Sequence, residues 1–148
     1  MFSVKVLDLN KRLRNPLDGR DWGCRPIPEH LIRDAADLLR NRRHNREERR
    51  WNTIKNGMSE DEAFIFHINR IASLYLTLES QPLHPIDINL RVDGPKAISA
   101  EIYDGQHRFA AASLGPVESM RVCFHVFPPD GAMEKILLAF PSAVVIDQ

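Results

Sequence analysis

Three stretches in the second half of the chain alternate apolar and polar residues, and this pattern restricts the fold more than any other feature. The stretches are residues 86–92, 98–102 and 120–126, each with an apolar side chain at every second position. Successive side chains of a strand point to opposite faces, so this period predicts half-buried strands. The alanine-rich segment before Gly115 predicts a short helix between the second and third strands. The order strand, strand, helix, strand therefore predicts an α/β or α+β domain.

Helical spacing dominates the first half instead. Apolar residues recur at helical intervals from Leu31 to Leu39, after Pro28 at a position that the first turn of a helix tolerates. A second helix is predicted from the capping box of Ser59 and Glu62 through the apolar positions up to residue 78. We also expect a short strand at residues 2–6, turns at residues 10–23 and a last helix at residues 133–140.

Size and composition favour one ordinary globular unit. A chain of 148 residues is the length of one domain, and we expect residues 1–148 to form it. No apolar run approaches the roughly 18 residues of a membrane span, and the amino terminus lacks the pattern of a secretory signal. Cys24 and Cys123 are isolated, which argues against disulfides and a zinc site. A cytoplasmic protein without a membrane partner is expected.

The formal net charge of zero conceals an uneven distribution of charge. Residues 1–55 carry 14 Lys and Arg against 8 Asp and Glu, whereas residues 56–148 carry 6 against 12. Six arginines lie within an eleven-residue run: Arg40, Arg42, Arg43, Arg46, Arg49 and Arg50. This run, either an exposed helix extension or a loop, could bind DNA phosphates with Trp51 as a stacking surface. The alternative, which we favour, is a solvated face with internal pairs such as Arg43 with Glu47.

Polar residues gather where the second predicted strand meets the alanine-rich helix. The sequence there is Asp104-Gly105-Gln106-His107-Arg108. The first amides of a helix lack internal partners, so a glycine at this point lets a phosphate approach them. Arg108 could grip the phosphate, and His107 could donate to it or exchange a proton near neutral pH. Asp104 would hold Mg²⁺, orient His107 or accept a proton.

A purely structural interpretation of this junction is equally compatible with the spacing. In it, Asp104 caps the helix while His107 and Arg108 are exposed polar residues of the first turn. The other histidines show no metal-binding spacing, and His67, within an apolar helix, is interpreted as an interior residue. The pattern alone does not choose between these two interpretations.

The string DGQHRFAAA, between strands PIDINL and MRVCFHVF, resembles the ParB/sulfiredoxin-like superfamily. In that superfamily a (D/G)G-x-HR-x-x-A motif follows a strand and begins a helix. DGQHR also resembles the signature of ParB-like proteins linked to DNA modification systems. The resemblance covers residues 85–127 and implies a small mixed sheet flanked by helices, with a helical insertion at about residues 40–80.

The resemblance also implies a nucleotide site. ParB-like motifs hold the phosphates of CTP or ATP with Mg²⁺, which would assign Gly105, Gln106, His107 and Arg108 to the phosphates and Asp104 to the metal or to catalysis, with His107. Sulfiredoxins have a nucleophilic cysteine where this chain has Gln106, so sulfinic acid reduction is not expected. The segment CRPIPEH is similar to the R-P-x-P segment of sulfiredoxins and suggests Arg25 as a second phosphate contact, a role for which Arg12 and Arg14 are the alternatives.

Several functions stay open at this stage. The first is a nucleotide-binding ParB-like domain, with NTP hydrolysis or phosphoryl transfer, in a plasmid, phage or DNA-modification context. The second is a DNA-binding regulatory or nuclease-like relative that uses the arginine run of residues 40–50. The third is a small-metabolite kinase, and the fourth is a fold that has lost its ligand.

Overall fold

Five strands form one mixed sheet within residues 1–115 and 117–146, the part of the chain that the computed structural model describes. The strands are β1 (Phe2–Lys5), β2 (Ile86–Val92), β3 (Ile98–Asp104), β4 (Ser119–Phe127) and β5 (Val144–Val145). Their order is β3-β2-β4-β1-β5. Only β2 and β4 run parallel among these described pairs, and the chain between them contains β3 and a helix.

Six α-helices accompany the sheet in the same described residues, so the prediction of a mixed α+β fold is confirmed. They are α1 (Val6–Arg12), α2 (Glu29–Arg40), α3 (Trp51–Ile54), α4 (Glu60–Thr77), α5 (Gln106–Leu114) and α6 (Ala132–Ala139). Two short 3-10 helices, Pro16–Asp18 and Arg20–Trp22, follow α1. The capping box of Ser59 and Glu62 is present at the start of α4, as predicted.

Helix α5 lies between two apolar clusters, which explains its run of alanines. Phe109 and Ala112 pack into the cluster formed by the sheet, α1 and α6. Ala110, Ala111 and Leu114 pack instead into the cluster of α2 and α4. Small side chains let a helix approach neighbours on both sides without overlap. Helix α5 is therefore packed between the sheet and the helices α2 and α4.

The amino-terminal region departs from the sequence expectation. Strand β1 ends at Lys5, one residue before the expected end. Val6 begins helix α1, which runs to Arg12 and so extends into residues 10–23, where turns were expected. Val6, Leu9 and Leu13 recur at helical spacing and are buried in the cluster beneath the sheet. Burial of these three apolar residues stabilises the helix. The helical pattern is hard to recognise in the sequence because charged residues lie between them.

The arginine run adopts the loop alternative. Helix α2 ends at Arg40, and residues 41–50 have no regular helix or strand before α3 begins at Trp51. Four hydrogen bonds fix the loop to α4. Arg46 donates to the Ser73 carbonyl and the Thr77 hydroxyl, the Glu47 amide donates to the Ser73 hydroxyl, and Arg70 donates to the Glu47 carbonyl. The basic loop is thus attached along the side of α4.

Across residues 1–115 and 117–146, none of the helices combines the length and apolar character needed to cross a membrane.

Candidate functional site

The turn between β3 and α5 requires glycine. Gly105 is the N-cap of α5, and its φ of 110° lies in a region that other residues seldom adopt. A Cβ at this position would lie 2.6 Å from Ile86 Cγ2, which would force the chain apart. The tight turn places the first turn of α5 beside the start of β2. The helix begins at Gln106, as the junction pattern predicts.

The first amides of α5 receive no side-chain cap from the described residues. The interpretation of Asp104 as a capping residue is therefore wrong. Gln106 turns back and donates from Nε2 to the Ile102 carbonyl at 3.1 Å. The amides of the first turn keep the partial positive charge of an uncapped helix end.

Arg108 folds back over the glycine rather than away from it. Its Nη1 donates to the Pro85 carbonyl at 2.7 Å, and its Nη2 pairs with Asp104 Oδ2 at 3.1 Å. Nη2 also lies 3.2 Å from the point that a Cβ on Gly105 would occupy. The side chain of Arg108 is 20% exposed, whereas that of Asp104 is 65% exposed. The guanidinium therefore borders the helix terminus, and the carboxylate that it binds reaches solvent.

His107 points to α4 instead of solvent. Its Nε2 lies 2.8 Å from Nδ1 of His67, so one of the two nitrogens donates and the other accepts. Trp22 stacks on both imidazoles, with ring centroids 4.3 Å from His67 and 4.5 Å from His107. Trp51 contacts His67 edge to face. The two histidines thus form a hydrogen-bonded pair inside an aromatic cluster.

Both imidazoles are neutral at pH 7. Burial lowers the pKa of His67 from 6.5 to about 4. Burial also holds the pKa of His107 well below 6.5, and the charges of Arg70 and Arg108 act in the same direction. These shifts differ from the sequence-based expectation that His107 exchanges a proton near neutral pH. His67 is fully buried, and its Nε2 has no partner among the described residues.

Arg70 is a site neighbour that the sequence interpretation missed. It follows His67 by one turn of α4, so it lies on the face of that helix that meets His107. Its guanidinium is half-buried and donates to the Glu47 carbonyl at 3.0 Å. The available signal was a single arginine in the middle of an amphipathic helix. The direction of its side chain, however, depends on how α4 packs on α5.

Arg25 is held by the amino terminus of α4. Its Nη1 pairs with Glu60 and with Asp61, and its guanidinium carbon lies 3.8 Å from the centre of the Phe64 ring. The Arg25 amide also donates to Glu60. Within the residues described, hydrogen bonds and ion pairs do not join Arg25 to residues 104–108.

Carboxylates near the helix terminus are few. Asp87 pairs with Asp104 in the antiparallel pair of β2 and β3, where the register shifts between Asp87 and Ile88. His125 approaches Asp87 at 3.5 Å from the neighbouring strand β4. In residues 1–115 and 117–146, groups of three or more His, Cys, Asp or Glu side chains with metal-binding geometry are absent.

Internal ion pairs and hydrogen bonds engage part of the arginine run of residues 40–50. Arg40 pairs with Asp37 and Glu79, and Arg49 pairs with Glu47. Arg46 donates to α4. Three arginines of the run make neither ion pairs nor side-chain hydrogen bonds with any described residue: Arg42, Arg43 and Arg50. The pair of Arg43 with Glu47 that the sequence suggested is not formed.

In comparisons with known proteins, no protein-family model, no curated protein and no solved structure matched the chain.

Proposed function

We propose that the chain is a ParB/sulfiredoxin-like domain that binds a nucleotide, ATP or CTP, through its phosphates at the amino terminus of α5. The observation that supports this most is the combination of a glycine N-cap, an uncapped first turn and a guanidinium bordering it. Uncapped helix amides bind anions, and glycine allows an anion to approach the main chain. Arg108 would add charge-assisted hydrogen bonds to the phosphate oxygens.

Nucleotide binding is the main part of the proposal, and a reaction of the bound nucleotide is its second part. Hydrolysis or phosphoryl transfer would proceed by electrostatic stabilisation, with Arg108 and the helix amides spreading the charge of the phosphoryl group. Asp104 would accept a proton after the ligand had displaced the Asp104 carboxylate from Arg108. His107 is neutral and bonded to His67, which favours a positioning role over proton transfer.

The carboxylates near the amino terminus of α5 meet the requirements of Mg²⁺ only in part. Mg²⁺ is commonly held by one or two protein carboxylates together with substrate phosphates and water. Asp104, the last residue of β3, would supply one such oxygen. A bound Mg²⁺ would neutralise charge on the phosphates. Because one carboxylate oxygen of Asp104 already faces Arg108, we expect the metal to depend on the nucleotide.

DNA binding is the second function that an observation favours. Arg42, Arg43 and Arg50 are exposed and have no carboxylate partner among the described residues. Free guanidinium groups on a loop suit contact with phosphate backbone, and each contact would add to the salt dependence of binding. A nucleotide-binding domain with a DNA-facing loop would suit a plasmid, phage or modification system.

Thermal unfolding with and without nucleotides tests the main proposal. ATP, CTP and their diphosphates would be added with Mg²⁺ to the native protein and to Arg108→Ala. A ligand at a hundredfold over its dissociation constant adds about 2.7 kcal/mol of stability, which is about 5–10 °C in Tm for a domain of this size. We expect a shift of this size in the native protein and most of it to disappear in Arg108→Ala.

Arg40→Ala is the matched control, because Arg40 also holds two polar partners but lies at the end of α2. Its nucleotide-dependent shift should equal that of the native protein. A native protein that no nucleotide stabilises, or an Arg108→Ala variant that keeps the full shift, would contradict the proposal. Release of phosphate from the stabilising nucleotide would show hydrolysis, and salt-sensitive retention on DNA without any nucleotide effect would favour the DNA-binding alternative.

A further inference from the structure

We propose that two copies of the chain pair through the outer edge of β3, which joins their sheets into one continuous sheet across a two-fold axis. Strand β3 is the last strand on one side of the sheet, and it has seven residues, whereas β5 at the opposite edge has two. An edge strand presents main-chain donors and acceptors that a further strand can satisfy. This pairing goes beyond the proposed function and requires no nucleotide.

The hydrogen bonds of the β2–β3 hairpin determine which main-chain groups of β3 face outward. The Asp93 amide donates to the Ala97 carbonyl at 2.9 Å, directly beside the pair of Val92 and Ile98. In an antiparallel ladder, pairs that exchange hydrogen bonds alternate with pairs that do not. The pair of Val92 and Ile98 is therefore of the second kind. The amide and the carbonyl of Ile98 consequently point away from β2.

The same alternation continues along β3. The register with β2 is unbroken from Ile98 to Ile102, so Ala100 and Ile102 also direct their main-chain groups outward, whereas Ser99 and Glu101 bond to β2. Among the described residues, the main-chain groups of Ile98 and Ala100 have no hydrogen-bond partner outside the sheet. A strand laid against this edge would satisfy them.

Protection of this edge is limited to one end. Gln106 Nε2 donates to the Ile102 carbonyl at 3.1 Å, which agrees with the outward direction of that carbonyl. Natural proteins protect long edges with lysine, proline or a bulge. From Ile98 to Tyr103 the sequence has no lysine or proline, and its one charged residue is Glu101. The edge between Ile98 and Ile102 thus remains available to another strand.

The sequence of β3 is compatible with pairing to a second copy of itself. A two-fold axis at Ala100, perpendicular to the sheet, places Ile98 of one copy opposite Ile102 of the other and Glu101 opposite Ser99. Ile98, Ala100 and Ile102 are half-buried at the margin of the core, so the pairing would remove further apolar surface from water. An axis at Glu101 would place like charges opposite each other, which destabilises a sheet. The register centred on Ala100 avoids this repulsion, which favours a second copy as the occupant of the edge.

Analytical ultracentrifugation of the full chain without nucleotide tests the proposal. A contact made mainly by two strands is small, so we expect a monomer–dimer equilibrium between about 5 and 500 μM. Ala100→Pro removes an amide that points away from β2, which an edge strand tolerates, and should raise the dimer Kd more than about tenfold. Val144→Lys is the matched control at the opposite edge and should leave the Kd within about twofold. A chain that is monomeric throughout, or a dimer that survives Ala100→Pro, would overturn the proposal.

Two substitutions at Ser99 separate dimer formation from folding. Within one copy Ser99 pairs with Arg91, whereas in the dimer it would face Glu101 of the second copy. Ser99→Lys should therefore lower the stability of the monomer but lower the dimer Kd about threefold to tenfold, because the two-fold axis repeats the new charge pair. Ser99→Glu should have the opposite effect on both quantities. Urea unfolding of the dilute protein and ultracentrifugation measure them, and equal dimer Kd values in the two variants would show that the register is wrong.

Amide hydrogen exchange followed by NMR locates the contact. In the dilute monomer, the amides of Ser99 and Glu101 should be protected, and those of Ile98, Ala100 and Ile102 should exchange rapidly. The latter three should become protected as the dimer forms. Their continued rapid exchange in the dimer would assign the contact to another surface. If a synthetic peptide of alternating valine and lysine protects them in a chain that is monomeric by itself, the edge accepts a foreign strand and pairing of two copies is wrong.

Discussion

His67 on α4 and His107 on α5 share a hydrogen bond of 2.8 Å between Nδ1 and Nε2, with Trp22 stacked across both rings. The pair connects the helical layer to the turn that begins α5. Because a charged imidazole would be costly in this aromatic surrounding, burial favours the neutral form of both rings.

Stability should therefore decline as the pH falls from 6.5 towards 4. The unfolded chain takes up a proton at His67 near pH 6.5, whereas the folded protein does so only near pH 4. The stability due to the neutral ring is complete above 6.5 and is lost as the pH falls to the folded pKa, about 3 kcal/mol in total. Urea unfolding at pH 7.5 and pH 5 should show about 2 kcal/mol of this loss. His107, shifted in the same direction, adds to it.

His67→Leu should flatten this pH dependence, because it removes one of the two groups. Ile71→Val is the control: Ile71 is a buried residue of the same helix, and its substitution removes no titratable group, so the slope should stay that of the native protein. An equal slope in the native protein and His67→Leu would show that the buried pair does not set the acid sensitivity.

Gly105→Ala should be more destabilising than Gly94→Ala. Both glycines have positive φ values, 110° and 135°, so both substitutions strain the main chain. Only at Gly105 would the added Cβ overlap Ile86, since nothing lies within 4 Å of the Cβ position at Gly94. We expect Gly105→Ala to cost about 1–3 kcal/mol more in urea unfolding. Equal losses would mean that the β3–α5 turn has room for a side chain.

Arg25→Ala should leave nucleotide affinity within about twofold of the native value, because Glu60 and Asp61 already occupy its guanidinium. The expected effect is a small loss of Tm as the start of α4 loses these contacts. Titration with the stabilising nucleotide checks this against Arg108→Ala. A loss comparable to that of Arg108→Ala would restore Arg25 as a phosphate contact, as the resemblance to sulfiredoxins suggested.

Local signals accounted for much of the fold. The alternation of Ile86–Val92 and the capping box of Ser59 and Glu62 act within a few residues, so each was visible in the sequence and is confirmed. Helix α1 was missed because its buried stripe has only a few members among charged residues. Strand β5, two residues long, carries too little pattern to predict.

The site was predictable only along one segment. Gly105 and the start of α5 follow from the turn chemistry of DGQHR. The partners of that segment come from elsewhere: Trp22 from a 3-10 helix, His67 and Arg70 from α4. Contact between these residues and the DGQHR segment depends on how the helical layer packs on α5. The spacing of residues in one sequence does not encode that packing.

Both polar main-chain groups of Glu47 find their partners on α4: its carbonyl accepts from Arg70, and its amide donates to the Ser73 hydroxyl. A segment without regular secondary structure thus borrows the hydrogen bonds that a helix or sheet would otherwise supply. The shape of the basic loop is consequently encoded on α4, so a substitution there would reshape the loop without altering any of its arginines.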